Sequence, residues 1–184
     1  MTNQFITYKT TSIADSYLLL KNNFEIGKLH KSAWFGAVIE ASLYDTKILV
    51  KATGSVNPTI DIIDEFNDQK IGTIKIHNSF VFFPKADLST VDGSNYQWQS
   101  NGIFNYSWEW KKDERSNPVL FSMESYHISN KVGQIASQEQ IVNKDLLIIA
   151  GLHLRDLVNR ETLLTKIVGL VAVIMLLTMI FLNK

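Results

Sequence analysis

The twenty residues 163–182, LLTKIVGLVAVIMLLTMIFL, constrain this chain more than any other segment, because 167–182 carries no charge over 16 residues. As a helix those 16 residues rise about 24 Å, and all twenty rise about 30 Å, the thickness of a bilayer's hydrocarbon core. Lys166 lies one turn inside this window, where its long stem can lift the ammonium to the headgroups. The segment is apolar on every side, whereas a soluble surface helix needs a polar stripe. It therefore reads as a transmembrane helix over 163–182, the other reading being a helix buried at the centre of a soluble domain. Arg155, Arg160 and Lys166 precede the span and only Lys184 follows it. Flanking Lys and Arg set orientation, so the bulk of the chain is expected on the cytoplasmic side of a single-pass, tail-anchored protein. The N-terminal MTNQFITYKTT has no basic region followed by an apolar core and does not read as a secretory signal peptide.

The rest of the 184 residues amounts to one domain, expected over 1–160. Lys plus Arg total 18 and Asp plus Glu total 18, so no net field draws the chain onto nucleic acid or anionic lipid. With 46% hydrophobic and 20% charged residues, it is neither disordered nor a low-complexity fibre. There is no cysteine, which excludes disulfides, thiolate metal sites, thiol catalysis and iron–sulfur clusters.

From Gln4 to about Gln140 the dominant hydrophobic period is two, with Gly-, Asn- and Asp-containing breaks every 8–12 residues. That spacing predicts ten to twelve short strands in a sandwich or barrel. The strongest strand is FNYSWEWK, where Phe104, Tyr106, Trp108 and Trp110 alternate with polar residues. Tyr96 and Trp98 supply its partner. A three-residue loop ending in Gly102 would pair Trp98 with Phe104 and Tyr96 with Tyr106, placing all six aromatics on one buried face. A second hairpin is expected in TIDIIDEFNDQKIGTIKI over 59–76. Its acidic turn lacks the spacing of a twelve-residue Ca²⁺ loop and reads as an ordinary Asn/Asp turn.

Residues 143–159, NKDLLIIAGLHLRDLVN, predict a helix with Asn143 as N-cap and Asp145 in the first turn. It is too apolar for a surface and too short for a bilayer, so it should be buried on all sides, as along the axis of a closed barrel. On these residues the chain resembles the tubby C-terminal-like superfamily, which includes LURP-one-related proteins and phospholipid scramblases. The carriers are IDIIDEFNDQKIGTIKI, the Tyr96-x-Trp98 and Trp108-x-Trp110 hairpin followed by Asn117-Pro118-Val119-Leu120, and DLLIIAGLHL. The resemblance covers roughly 4–159. It implies a mainly β fold: a closed antiparallel barrel of about twelve strands around a central apolar helix at about 144–159. In that family the terminal helix usually ends the chain, whereas here a second apolar segment follows. The resulting fold class is a barrel with a central helix plus a C-terminal transmembrane helix.

No GxGxxG, P-loop, HExxH or GxSxG motif is present. His30, His77, His127 and His153 lack ligand spacing, so no metal and no cofactor is expected. Asn105-Tyr106-Ser107 matches a glycosylation sequon but falls inside a strand of a domain expected to be cytoplasmic. The one basic cluster is Lys111, Lys112 and Arg115, interrupted by Asp113 and Glu114. By resemblance to tubby-like domains, these three residues are the candidate lipid-headgroup site. The expected function is a membrane-anchored, non-enzymatic binding or scaffold module that engages lipid headgroups or a membrane protein partner. The alternatives are lipid scrambling or transfer, and a pleckstrin-homology-like domain with seven strands closed by a C-terminal helix.

Overall fold

The computed structural model describes residues 3–11, 16–31, 38–53, 59–77, 85–100, 107–112, 119–126, 131–138 and 141–158. They form twelve strands and one helix. The strands are β1 (Asn3–Thr11), β2 (Ser16–Lys21), β3 (Phe24–Lys31), β4 (Val38–Leu43), β5 (Thr46–Thr53) and β6 (Thr59–Asp64), followed by β7 (Gln69–Ile76), β8 (Lys85–Thr90), β9 (Asn95–Ser100), β10 (Ser107–Lys111), β11 (Val119–Tyr126) and β12 (Lys131–Gln138). Helix α1 spans 144–158.

Every strand pairs antiparallel with its sequence neighbour. The ring is closed by β1 against β12, from Asn3 opposite Gln138 to Lys9 opposite Val132. The period-two pattern sets the faces: Ile60 and Ile62, Ala86 and Leu88, and Tyr96 and Trp98 are buried, with exposed or half-buried residues between them. The tight turns use residues that tolerate a left-handed backbone. Asn22 and Asn23 both have positive φ, at 52° and 68°, and close the β2–β3 hairpin in two residues. Gly27 in β3 permits a close approach to β4, since a Cβ there would run into the Ser42 carbonyl and the Leu43 Cα.

Helix α1 fills the ring. Residues 146–156 are all buried, with no exposed stripe. Contacts run to well-separated strands: Trp110 Nε1 of β10 donates to the Leu147 carbonyl at 2.8 Å, and Tyr17 Oη of β2 donates to Asp156 Oδ1 at 3.0 Å. The Arg155 guanidinium stacks on Tyr8 of β1 at 4.7 Å and on Trp108 of β10 at 5.2 Å.

Two expectations are corrected here. The fold class joined the β domain to a C-terminal transmembrane helix, and the structure does not supply that second component. No helix among the described residues is long and apolar enough to cross a membrane. The 15 residues of α1 rise only about 22 Å, short of a bilayer core, and they carry Arg155 and Asp156 near the C-terminal end. The 163–182 segment itself lies outside the described residues.

The second correction concerns register. Trp98 pairs with Trp110, and Ser100 with Trp108, so β9 and β10 meet six residues later than the three-residue loop predicts. An even shift leaves every side chain on its original face, so Tyr96, Trp98, Trp108 and Trp110 are still all buried. The new register stacks Trp98 on Trp108, with ring centroids 6.2 Å apart. Phe104, Tyr106 and the loop between the strands lie outside the described residues.

Asn143 takes the N-cap position of α1. The Asn143 backbone carbonyl accepts the first helical bond, from Leu147 N–H at 2.9 Å. Its side-chain Nδ2 donates to Asp92 Oδ2 in the β8–β9 turn at 2.9 Å.

Candidate functional site

The outer face of β8, β9 and β10 forms an open groove of about 670 Å³, lined by Asp87, Ser89, Gln97, Gln99, Lys111 and Lys112 among others. The strand registers put its polar side chains in rows. Asp87 stands opposite Gln97, which stands opposite Lys111, while Lys85 stands opposite Gln99, which stands opposite Glu109. Each carboxylate is held. Glu109 Oε1 accepts from Gln99 Nε2 at 2.7 Å and pairs with Lys111 Nζ at 2.9 Å. Asp87 Oδ2 lies 2.9 Å from His77 Nε2, and Oδ1 accepts from Gln97 Nε2 at 3.4 Å. Lys112 is exposed at the end of β10, with its ammonium 5.9 Å from the centroid of the Tyr96 ring.

The candidate headgroup residues therefore separate. Lys111 and Lys112 line the same groove, Lys111 tied to Glu109 and Lys112 free of any ion pair with a described residue. Arg115 lies outside the described residues. Sequence reasoning missed Asp87, Gln97 and Gln99. Their signal was present in the outward positions of KADLST and NYQWQS, but polar alternation alone does not say which outward rows adjoin. The groove can supply ammonium, carboxylate and amide groups to a polar ligand.

Nothing at the groove or elsewhere among the described residues groups three His, Asp or Glu side chains for a metal ion. The acidic turn of 59–76 is closed by its own side chains: Asp64 Oδ1 accepts from Phe66 N–H and Asn67 Oδ1 from Gln69 N–H. The histidines are dispersed. His30 contacts the Ser16 hydroxyl at 3.0 Å, His77 contacts Asp87, His153 is buried on α1, and His127 lies outside the described residues.

Titration is perturbed where α1 meets the sheet. Burial, with Asp156 beside it, pushes the Tyr17 hydroxyl well above its usual range. Burial also raises the Asp145 carboxyl, opposed by a hydrogen bond from the Thr46 hydroxyl at 3.2 Å. Asp92 moves the other way, held far below the usual carboxylate range by the Thr90 hydroxyl, then the Ser94 N–H and the Asn143 amide. These groups clamp α1 into the sheet, and none of them lines the groove.

Comparison with known proteins finds no matching family model, no matching curated protein and no matching solved structure.

Proposed function

We propose that this chain is a membrane-anchored, non-enzymatic binding module, held at the bilayer by 163–182 with its β domain on the cytoplasmic side and engaging lipid headgroups or a membrane partner. One observation carries the reading: α1 occupies the interior of the β domain, which leaves the outside for ligands. There the β8–β10 groove presents Lys112 beside hydrogen-bonding Gln97 and Gln99. The uncharged run 167–182 supports the anchor, and the tubby-like resemblance supports headgroup binding through Lys111 and Lys112. The filled interior counts against scrambling or transfer, since no space for an acyl chain runs along the axis. Twelve strands with the helix inside also depart from a seven-strand pleckstrin-like domain.

The test is headgroup binding by the full chain in phosphatidylcholine nanodiscs, titrated with soluble inositol phosphates and glycerophosphoserine in a calorimeter. At least one anionic headgroup should bind, and Lys112→Glu should weaken it fivefold or more without shifting the melting temperature. Equal binding by Lys112→Glu, or no binding by any headgroup, removes the lipid reading.

A further inference from the structure

Six large hydrophobic side chains are exposed among the described residues: Phe5, Phe24, Tyr44, Phe66, Val91 and Val142. All six lie at one end of the barrel. In an up-and-down ring alternate connections share an end, so the β2–β3, β4–β5, β6–β7 and β8–β9 turns stand together. The start of β1 and the residues leading into α1 belong to the same end. Each of the four turns contributes one apolar side chain, and three of them are strongly exposed, at 76% for Phe24 and 73% for Phe66 and Val91. The fourth is Tyr44, which holds φ at 52°, a backbone region that costs a bulky residue more than Asn or Gly.

The turns repeat a second feature. Every apolar tip has a carboxylate next to it in sequence: Phe24 with Glu25, Tyr44 with Asp45, Phe66 with Glu65, and Val91 with Asp92. Over the described residues 21–25, 43–47, 64–69, 90–94, 112 and 141–145, seven carboxylates face four lysines, a net charge of −3 for these residues in a chain that is neutral overall. Lys47 is drawn over the Phe66 ring at 5.6 Å. The β8–β9 and β4–β5 turns are tied to the helix start by the Asn143–Asp92 and Thr46–Asp145 hydrogen bonds.

We propose that this crown is the docking surface for a protein partner that presents apolar side chains within a rim of Lys and Arg. Charge selects that occupant. An anionic bilayer would be repelled by the carboxylates beside every apolar tip. A second copy of the crown would set one acidic rim against another. The chain's own uncharged 167–182 has no complement for the rim. A basic, apolar protein surface satisfies both features, with the apolar tips supplying contact area and the rim supplying steering. The surface is independent of the anchor, but its placement rests on the anchor reading. Helix α1 starts at the crown and runs about 22 Å to Val158, and 163–182 begins five residues later, a reach of at most about 17 Å. The crown then lies at the opposite end of α1 from the residue that leads to the anchor.

The experiment puts a photo-reactive phenylalanine analogue at Phe24 or at Phe66 of the full chain in its own membranes, with Lys28 on the outside of β3 as control position. Both tips should crosslink to the same protein, through a segment rich in Lys and Arg, and the Lys28 position should not. Glu25→Lys, Asp45→Lys and Glu65→Lys together should cut the adduct at least fivefold with the melting temperature unchanged. Lipid adducts, an adduct of twice the chain's mass, an adduct within the chain, no adduct, or a protein adduct insensitive to the charge reversal would each overturn the proposal. The nanodisc titration above is read separately, so failure of headgroup binding leaves this surface standing and the reverse also holds.

Discussion

Ile149 stands mid-way along α1 with no exposed surface, and its neighbours from Leu146 to Asp156 are all buried. Ile149→Ala removes three carbons and leaves a cavity, which costs about 2–5 kcal/mol for a fully buried position. Domains of this size are stable by about 5–15 kcal/mol, so the alanine variant stays folded with a lowered midpoint. Ile149→Asp is a different perturbation. A carboxylate with no water near it avoids ionising, and a shift of 3–5 pKa units costs about 4 kcal/mol at pH 7, which lies only about 3 units above the unfolded value. The sign follows from linkage. The folded-state pKa of the new aspartate is raised above its unfolded value near 3.9, so the folded form holds a proton that the unfolded form releases. The variant's stability must then fall as pH rises from about 4 towards the raised pKa. Urea denaturation of the full chain in detergent, followed by tryptophan fluorescence, measures this directly. Ile149→Asp should be several kcal/mol weaker at pH 8 than at pH 5, on top of the Ile149→Ala loss. Carrying Asp through 146–152 should damage every position alike. A loss below about 1 kcal/mol without pH dependence, or tolerance recurring every third or fourth residue, would show that one side of α1 is wet and refute a helix enclosed by strands.

Trp108→Ala should cost about 3–5 kcal/mol, because Trp108 is fully buried and stacks on both Trp98 and Arg155; denaturation midpoints check it. Tyr17→Phe should cost about 1–3 kcal/mol, since it takes a buried donor from the Asp156 carboxylate, and the same assay reads the loss. The two acidic groups near the helix start should respond to pH with opposite signs. Asp145, with its pKa raised by burial, makes the protein less stable as pH climbs above about 4, so Asp145→Asn should flatten that slope. Asp92, with its pKa lowered by the Thr90 hydroxyl, contributes stability that is fully present above about pH 4 and is lost only as pH falls through its low folded-state value, so the cost of Asp92→Asn should be largest at neutral pH and shrink steadily below about pH 4. Melting temperatures from pH 3 to 7 separate the two.

Local patterns in this sequence were readable wherever one residue's environment is set by its neighbours two or four positions away. Alternation in NYQWQS and SWEWK marks Tyr96, Trp98, Trp108 and Trp110 as one buried face, and an even register shift cannot undo that. The apolar run in DLLIIAGLHL marks a helix buried on all sides. Residue 72 in TIDIIDEFNDQKIGTIKI falls where the hairpin pairing puts it, opposite Ile62. What local pattern could not give was anything set by distant partners. A three-residue loop ending in Gly102 predicts a β9–β10 register six residues short of the observed one, in which Trp98 stacks on Trp108. Asn143 takes its expected N-cap position, but the donation of its amide to Asp92, 51 residues away, is not visible in any local pattern. The groove needs Asp87, Gln97 and Lys111 in one row, and the crown needs four turns gathered by ring closure between β1 and β12, whose paired residues are more than 120 positions apart. Residues 163–182 read as a spanning helix from their uncharged length and all-round apolarity, and they lie outside the described residues.

In the proposed function the β domain is complete without 163–182, which holds it at a membrane. Extraction of the protein's own membranes tests this most directly, comparing the full chain with one ending at residue 162. The full chain should stay with the membrane fraction through high salt and alkaline carbonate. The shortened chain should move to the supernatant with the same cooperative melting transition. A shortened chain that is insoluble or unfolded would mean that 163–182 belongs to the core, and a full chain released by salt or carbonate would mean that it is no anchor.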